Sequence, residues 1–330
     1  MKKSYIGEIR YAVLWAICFM VIYAGYKFYL FTDALEQGLI PPISRSPSIE
    51  GFMPIGALMS FKLWITEAVF DSIHPAALVI FIGALLLAAL LKKSFCSWIC
   101  PVGAVSELAW KAGEKIFGRN FAIHKYIDYP LRSLKYILMG FFLYVILIKM
   151  SPWEITAFLN TPYWKIADIK LMKFFTEMSL ATKITLTTLF GLSLLYKNFW
   201  CRYLCPYGAL LGLLSIISPI KIKRDEKACT NCGLCSKNCP ALLPVDKKNI
   251  IRSPECTGCL TCVSRCPAKG ALNAAVAGRK PIRPEIIAAA VIIIFFGAIL
   301  TAKLTGNWHS TIHNSELLDL MPLIETLAHP

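Results

Sequence analysis

Eight cysteines between positions 229 and 266 fall into two copies of one spacing. The first copy is Cys229-x2-Cys232-x2-Cys235-x3-Cys239-Pro240, and the second is Cys256-x2-Cys259-x2-Cys262-x3-Cys266-Pro267. A cubane iron–sulfur cluster needs four thiolates around a compact core, and one tight loop can supply three. The fourth must come from elsewhere, so in a two-cluster arrangement each run gives its last cysteine to the other cluster. The spacing therefore predicts a 4Fe-4S cluster A on Cys229, Cys232, Cys235 and Cys266. It predicts a 4Fe-4S cluster B on Cys256, Cys259, Cys262 and Cys239. Zinc knuckles also use paired C-x2-C units, but zinc has no need of three cysteines per run plus a fourth before proline, twice over. The chemistry expected of these residues is electron transfer.

A second cysteine pattern precedes the first and is also duplicated. Phe95-Cys96-Ser97-Trp98-Ile99-Cys100-Pro101-Val102-Gly103-Ala104 recurs 105 residues later as Trp200-Cys201-Arg202-Tyr203-Leu204-Cys205-Pro206-Tyr207-Gly208-Ala209. Cysteines four apart on a helix share one face. The proline can open a new helical segment, and the glycine lets backbone approach closely. Four sulfurs brought together by the repeat would suffice for a third cluster. A redox dithiol or a soft-metal site for copper(I) is a second reading, and thiols packed as small hydrophobes a third.

The elements that carry these motifs are apolar. The 330-residue chain has a mean hydropathy of +0.57 and only 17% charged residues, well outside the range of soluble domains. Five stretches, at 11–31, 75–91, 134–150, 183–196 with its continuation, and 285–302, approach the roughly 20 residues a helix needs to cross a bilayer. The first lacks a small-residue cleavage site and reads as a retained anchor rather than a signal peptide. Segments 1–10, 92–135 and 197–284 hold 26 of the 35 Lys and Arg residues. That asymmetry predicts an N-terminus inside and a C-terminus outside. Twelve of the 13 cysteines lie in the same inside segments and Cys18 lies in the first stretch, as reduced thiolates require. The net charge of +15 is thus mostly a topology signal. Nucleic-acid binding is not expected, whereas an acidic electron carrier docking on the basic cluster region is.

Paired C-x3-C-P motifs at helix ends, followed by a two-cluster ferredoxin module, resemble the membrane polyferredoxins of the NapH, NosR and CcoG type, over about residues 75–275. Those families are associated with periplasmic nitrate reduction, nitrous oxide reductase maturation and cytochrome oxidase assembly. The resemblance carries over the eight ferredoxin cysteines as ligands and marks Cys96, Cys100, Cys201 and Cys205 as further redox or metal cysteines. Some relatives have a cysteine before the proline in the outer loop; here that position is Met53, so its role does not transfer.

Few other residues offer chemistry. His309-x3-His313 would face one way if helical, and imidazole suits haem iron or a transition metal. The plainer reading makes these two histidines, with His74 and His329, solvated groups at the membrane surface. Trp153, Tyr163, Trp164 and Trp308 read as interface anchors. Glu50, Glu67 and Asp71 would serve a quinol site as proton relays, but outer-loop carboxylates are usually solvated. Neither quinone nor haem has direct support. No glycine-rich dinucleotide motif opens a helix, so direct NAD(P)H oxidation is not expected.

The expected fold is an α-helical membrane protein of about five spans, with an α+β two-cluster ferredoxin-like domain inserted before the last. Residues 1–220 form the membrane part as two pseudo-repeated hairpins, 221–275 the cytoplasmic ferredoxin domain, and 276–330 the fifth span and outer tail. The expected function is electron transfer in the inner membrane, between a cytoplasmic or quinol donor and a membrane or periplasmic redox acceptor. The alternatives are a copper- or iron-ion reductase or an assembly factor for a respiratory metalloenzyme, and a scaffold in which the clusters are structural.

Overall fold

A computed structural model of the chain describes residues 5–268 and 270–327, without the side chain of Lys125; His329 lies outside the described residues. Five long helices occupy the five apolar stretches: Ile6–Glu36, Pro75–Leu91, Lys125–Leu143 continued by a π-helical segment Tyr144–Lys149, Leu180–Leu195, and Pro284–Leu304. Three of them, at Ile6–Glu36, Tyr126–Lys149 and Pro284–Leu304, are long and apolar enough to cross a membrane. A fourth span exists if Ala167–Thr176 and Leu180–Leu195, bent by 77°, count as one. The sequence reading gives five, and the difference has local causes. Pro75 opens its helix and Lys92, in the left-handed region at φ +64°, follows its end, which leaves 17 residues. The Ser179 hydroxyl accepts from Thr182 N at 3.2 Å and starts a new helix at the bend, a cap that an average over apolar residues cannot register. Large apolar side chains such as Phe19, Ile22, Ile293 and Leu300 point outward, as expected of helices immersed in lipid.

The chain divides into two compact units, and their boundaries fall within the long helices. One comprises Met1–Cys18, Ala84–Met139 and Leu186–Phe295; the other comprises Phe19–Gly83, Gly140–Thr185 and Phe296–Pro330. All 13 cysteines belong to the first unit.

The first unit contains the only sheet among the described residues, four antiparallel strands in the order β2-β1-β3-β4. They are β1 (Ile220–Arg224), β2 (Ile250–Ile251), β3 (Leu272–Val276) and β4 (Lys280–Ile282). Ile222 pairs with Ile251 on one side and Ala274 on the other. The alternation Ile220-Lys221-Ile222-Lys223 buries the isoleucines, the period-two pattern of a strand with one face inward. Ala277 and Gly278, both at positive φ, turn β3 into β4. The sheet therefore runs on to Ile282, beyond the 221–275 stretch expected for the insert.

The second unit has two apolar clusters, one around Phe28, Phe31, Ile166, Ile169 and Leu317, the other around Ala76, Val79, Ala302 and Trp308. Trp164 and Trp308 are core residues here rather than interface anchors; Trp153 remains exposed. Trp164 lies so close to Gly56 that a Cβ there would come within 1.9 Å of its ring.

Candidate iron–sulfur site

The two ferredoxin runs share one backbone course. Asn231 and Gly258, two residues into each run, both adopt positive φ, as do Gly233 and Leu260, four residues in. A short helix then carries the third cysteine, Leu234–Lys237 for Cys235 and Thr261–Ser264 for Cys262. Repeated left-handed residues wrap the chain so that three sulfurs converge. Leu260 does this without being glycine, at a cost of order 1 kcal/mol, and its side chain is buried.

Two cavities result, and they partition the eight cysteines. One is lined by Cys229, Cys232, Cys235 and Cys266, the other by Cys239, Cys256, Cys259 and Cys262. Among the described residues no three His, Cys, Asp or Glu side chains stand close enough to hold a single metal ion. Four cysteines at each cavity are the number a cubane takes, one thiolate for each iron. The surroundings of the two cavities differ. Cys232 is exposed, and Cys229 is held below the ordinary thiol range by the Asn231 N–H and by Arg224, whose Nη1 is 3.7 Å from its sulfur. Cys239, Cys259 and Cys262 are buried, and burial pushes the Cys239 thiol up to about 12.

The C-x3-C-P pairs do not lie on one continuous helix. Cys96 belongs to a short helix, Phe95–Trp98, and Cys201 to a π-helical turn, Trp200–Leu204. Cys100 and Cys205 are extended (ψ 119° and 104°) and stand as N-caps before Pro101 and Pro206. Proline drives the residue before it out of the helical region, so the motif breaks the helix between its two cysteines. The second cysteine is then left facing free N–H groups of the next helix. Cys205 Sγ accepts from Gly208 N at 3.2 Å, and Cys100 is stabilised by the N–H groups of Gly103 and Val102. Helix N-termini favour thiolate.

Cys96, Cys100 and Cys201 lie near enough to one another and to Cys205 for charge on a neighbouring sulfur to act on them. Burial raises Cys96 to about 12 and Cys100 to about 11, and like charge between the cysteines adds to both. Cys201 is also raised, by burial and then by Cys205, Cys100 and Cys96. A third cavity is bordered by Cys96, Cys201 and Cys259, with Arg10, Lys93, Glu107 and Glu255 among its walls.

The remaining residues of the two motifs fasten the insert. Trp98 Nε1 donates to Gly258 O at 3.2 Å and Ser97 Oγ to Thr257 O at 2.8 Å. Arg202 Nη1 donates to Ala241 O at 2.7 Å while its guanidinium pairs with Asp128. The first motif thus grips the loop between Cys256 and Cys259, and the second grips the chain just after Cys239. Sequence reading missed these contacts because Ser, Trp and Arg beside a cysteine carry no spacing code. The same holds for the buried pairs Arg10–Glu107 and Lys135–Glu255.

Comparison with known proteins agrees. Residues 73–120 and 180–225 match the family described as 4Fe-4S binding domain, and residues 221–267 match the 4Fe-4S dicluster domain. YccM of Escherichia coli (strain K12), whose name describes an electron transport protein, is 40% identical over 293 residues, 87% of this chain and 82% of that protein. The chain belongs to the membrane polyferredoxin superfamily of the NapH type. The ferredoxin-type protein NapH of Escherichia coli (strain K12) is 29% identical over 55% of this chain and 58% of its own. The methylamine utilization ferredoxin-type protein MauN of Methylobacillus flagellatus is 26% identical over 59% of this chain and 62% of its own. No solved structure matches the chain. This polyferredoxin is accordingly a membrane protein that binds 4Fe-4S clusters and serves iron–sulfur electron transfer.

The other candidate residues divide into solvated and buried groups. His309 and His313 are exposed and precede the short helix Asn314–Leu320, so no helix aligns them. His74, Glu50 and Asp71 are buried rather than solvated, while Glu67 is exposed. In the second unit Arg45 pairs with Asp168, His74 Nε2 meets the Trp164 carbonyl at 2.7 Å, and His74 Nδ1 faces Glu50 Oε1 at 3.5 Å.

Proposed function

We propose that this chain is one terminal of a transmembrane electron path with three stations in the order A, B, C. Cys229, Cys232, Cys235 and Cys266 hold station A at the surface. Cys256, Cys259, Cys262 and Cys239 hold station B in the interior. Cys96, Cys100, Cys201 and Cys205 hold station C, a third cluster. Each cluster, when bound, takes up and passes on an electron; the protein positions it and tunes its potential.

The observation that carries this reading is the cavity that Cys259 lines together with Cys96 and Cys201. Cys262 of station B in turn feels the charge of Cys235, of station A. Station B therefore has both other stations as neighbours, and station A carries the exposed cysteine, Cys232. The basic character of 197–284 suits an acidic carrier as donor. The concentration of Lys and Arg in the segments that carry the clusters supports a cytoplasmic face of the inner membrane for them, with the acceptor in the membrane or the periplasm.

Iron and acid-labile sulfide per chain test the number of stations: about twelve irons are expected, and about eight would return the C-x3-C-P pairs to the dithiol or soft-metal reading. EPR of the reduced protein tests the partition. Cys266→Ser should alter the same cluster as Cys229→Ser, and Cys239→Ser the same cluster as Cys259→Ser. The opposite pairing would sink the ligand assignment.

A further inference from the structure

Four thiolates around a four-iron core carry net negative charge, and every electron taken up adds one more. In a buried site that charge costs several kcal/mol unless something offsets it. Among its described residues the first unit buries six cations, Arg10, Lys92, Lys93, Lys135, Lys197 and Arg202, and three of them are neutralised by a carboxylate. Arg10 closes a pair with Glu107, Lys135 with Glu255 and Arg202 with Asp128. Lys93 is placed differently. Its Nζ and Cys205 Sγ both lie 3.4 Å from the point where a side chain on Gly208 would begin. Its side chain also lines the cavity bordered by Cys96, Cys201 and Cys259, and the residue is only 4% exposed. Burial opposes the ammonium charge, but Cys96, Glu255, Cys205 and Cys201 outweigh it and hold Lys93 above the ordinary lysine range.

We propose that Lys93 is the potential-setting residue of station C, a fixed positive charge shut away from solvent that favours the reduced state of the cluster on Cys96, Cys100, Cys201 and Cys205. The inference rests on the reading that those four cysteines hold a cluster. One electron arrives from station B, the charge at station C becomes more negative by one, and no proton or bond moves. Lys93 touches no ligand bond in this step; it acts through space. Glu255 sets the opposing charge. It is the largest electrostatic partner of Lys93 after Cys96, and it precedes Cys256, a ligand of station B. Its carboxylate, paired with Lys135, pulls the potential of station C down, and Lys93 pulls it up.

The test is an EPR-monitored redox titration of the full chain in detergent, with iron counted in each variant. Lys93→Met keeps the length and removes the charge; Lys93→Arg keeps the charge. With Lys93→Met, the midpoint of station C should move negative by at least a tenfold change in the reduction equilibrium, 59 mV for a one-electron couple, while Lys93→Arg stays near wild type and station A does not move. An unshifted midpoint in Lys93→Met with its iron intact overturns the proposal, and so does an equal shift in Lys93→Arg. If Lys93→Met fails to retain iron, Glu255→Gln decides: the midpoint of station C should move positive, and no movement overturns the proposal. Wild-type protein with about eight irons would remove station C itself, whereas about twelve irons with unmoved potentials would remove only the role of Lys93.

Discussion

The indole Nε1 of Trp98 donates to the carbonyl of Gly258 across 160 residues of sequence, at 3.2 Å. Trp98 stands between the two cysteines of the first C-x3-C-P motif, and Gly258 stands between the first two cysteines of the second ferredoxin run. One hydrogen bond thus joins the loops of two candidate stations, and both residues are buried. An electron path needs such fixed spacing, since a docked insert free to rock would change the separation of its clusters.

Trp98→Phe should therefore loosen the insert without touching a ligand. It leaves the Gly258 carbonyl buried without this donor, a loss of about 1–3 kcal/mol, and removes part of a packed ring. The expected result is a lower thermal midpoint and a broadened EPR signal of the cluster on Cys259, with the iron count kept. Unchanged line shape and unchanged melting would mean that the contact does not hold the loop.

The two copies of the C-x3-C-P motif should respond unequally to alanine at their glycines. A Cβ on Gly103 would sit 2.2 Å from the Cys96 carbonyl oxygen, an overlap with backbone that nothing can relieve cheaply. A Cβ on Gly208 would meet Cys205 Sγ and Lys93 Nζ at 3.4 Å, which is ordinary contact. Gly103→Ala is expected to cost several kcal/mol and to deplete about four irons. Gly208→Ala should fold and load normally. Equal behaviour of the two variants in iron analysis and thermal melts would contradict the geometry.

The second unit should make stability fall as pH rises. His74 Nε2 must carry hydrogen, because the Trp164 carbonyl can only accept. Its Nδ1 faces Glu50 Oε1 at 3.5 Å with both residues fully buried, and two lone pairs do not face each other without a proton between them. The pair therefore keeps one proton. Burial raises the Glu50 carboxyl, and for His74 the Glu50 partner outweighs burial and raises the imidazole. Arg45, Asp168 and Asp71 are the other charged groups around the pair. In the unfolded chain Glu50 is ionised and His74 loses its proton near 6.5. Below that pH both states hold one proton and stability is flat. Above it the folded state holds more protons, so stability declines by up to ~1.4 kcal/mol per pH unit until the folded pair titrates. Thermal midpoints from pH 6 to 9 should show this slope, and His74→Gln should flatten it. A slope that persists in His74→Gln would place the proton elsewhere.

Much of this protein was legible from cysteine spacing alone. Cluster type follows from it, and the grouping of eight cysteines expected from it matches the lining of the two cavities; the 105-residue repeat was equally visible because cysteine, proline and glycine each have a distinct backbone or metal chemistry. Apolar runs located all five long helices, since lipid tolerates little else. Spacing could not reveal that proline would part Cys96 from Cys100 and turn the second cysteine into a helix cap, nor that Ser179 would break the Ala167–Leu195 stretch. Those are decisions of single hydrogen bonds and dihedrals. Only the tertiary structure brought Trp98 to Gly258, Arg202 to Ala241 and Lys93 to the sulfurs of another repeat. It also turned Glu50 and His74 from presumed surface groups into a buried pair. The physical reason is the same in each case. A buried charge or donor is specified by the partner that offsets its desolvation, and that partner lies tens to hundreds of residues away, where no local pattern records it.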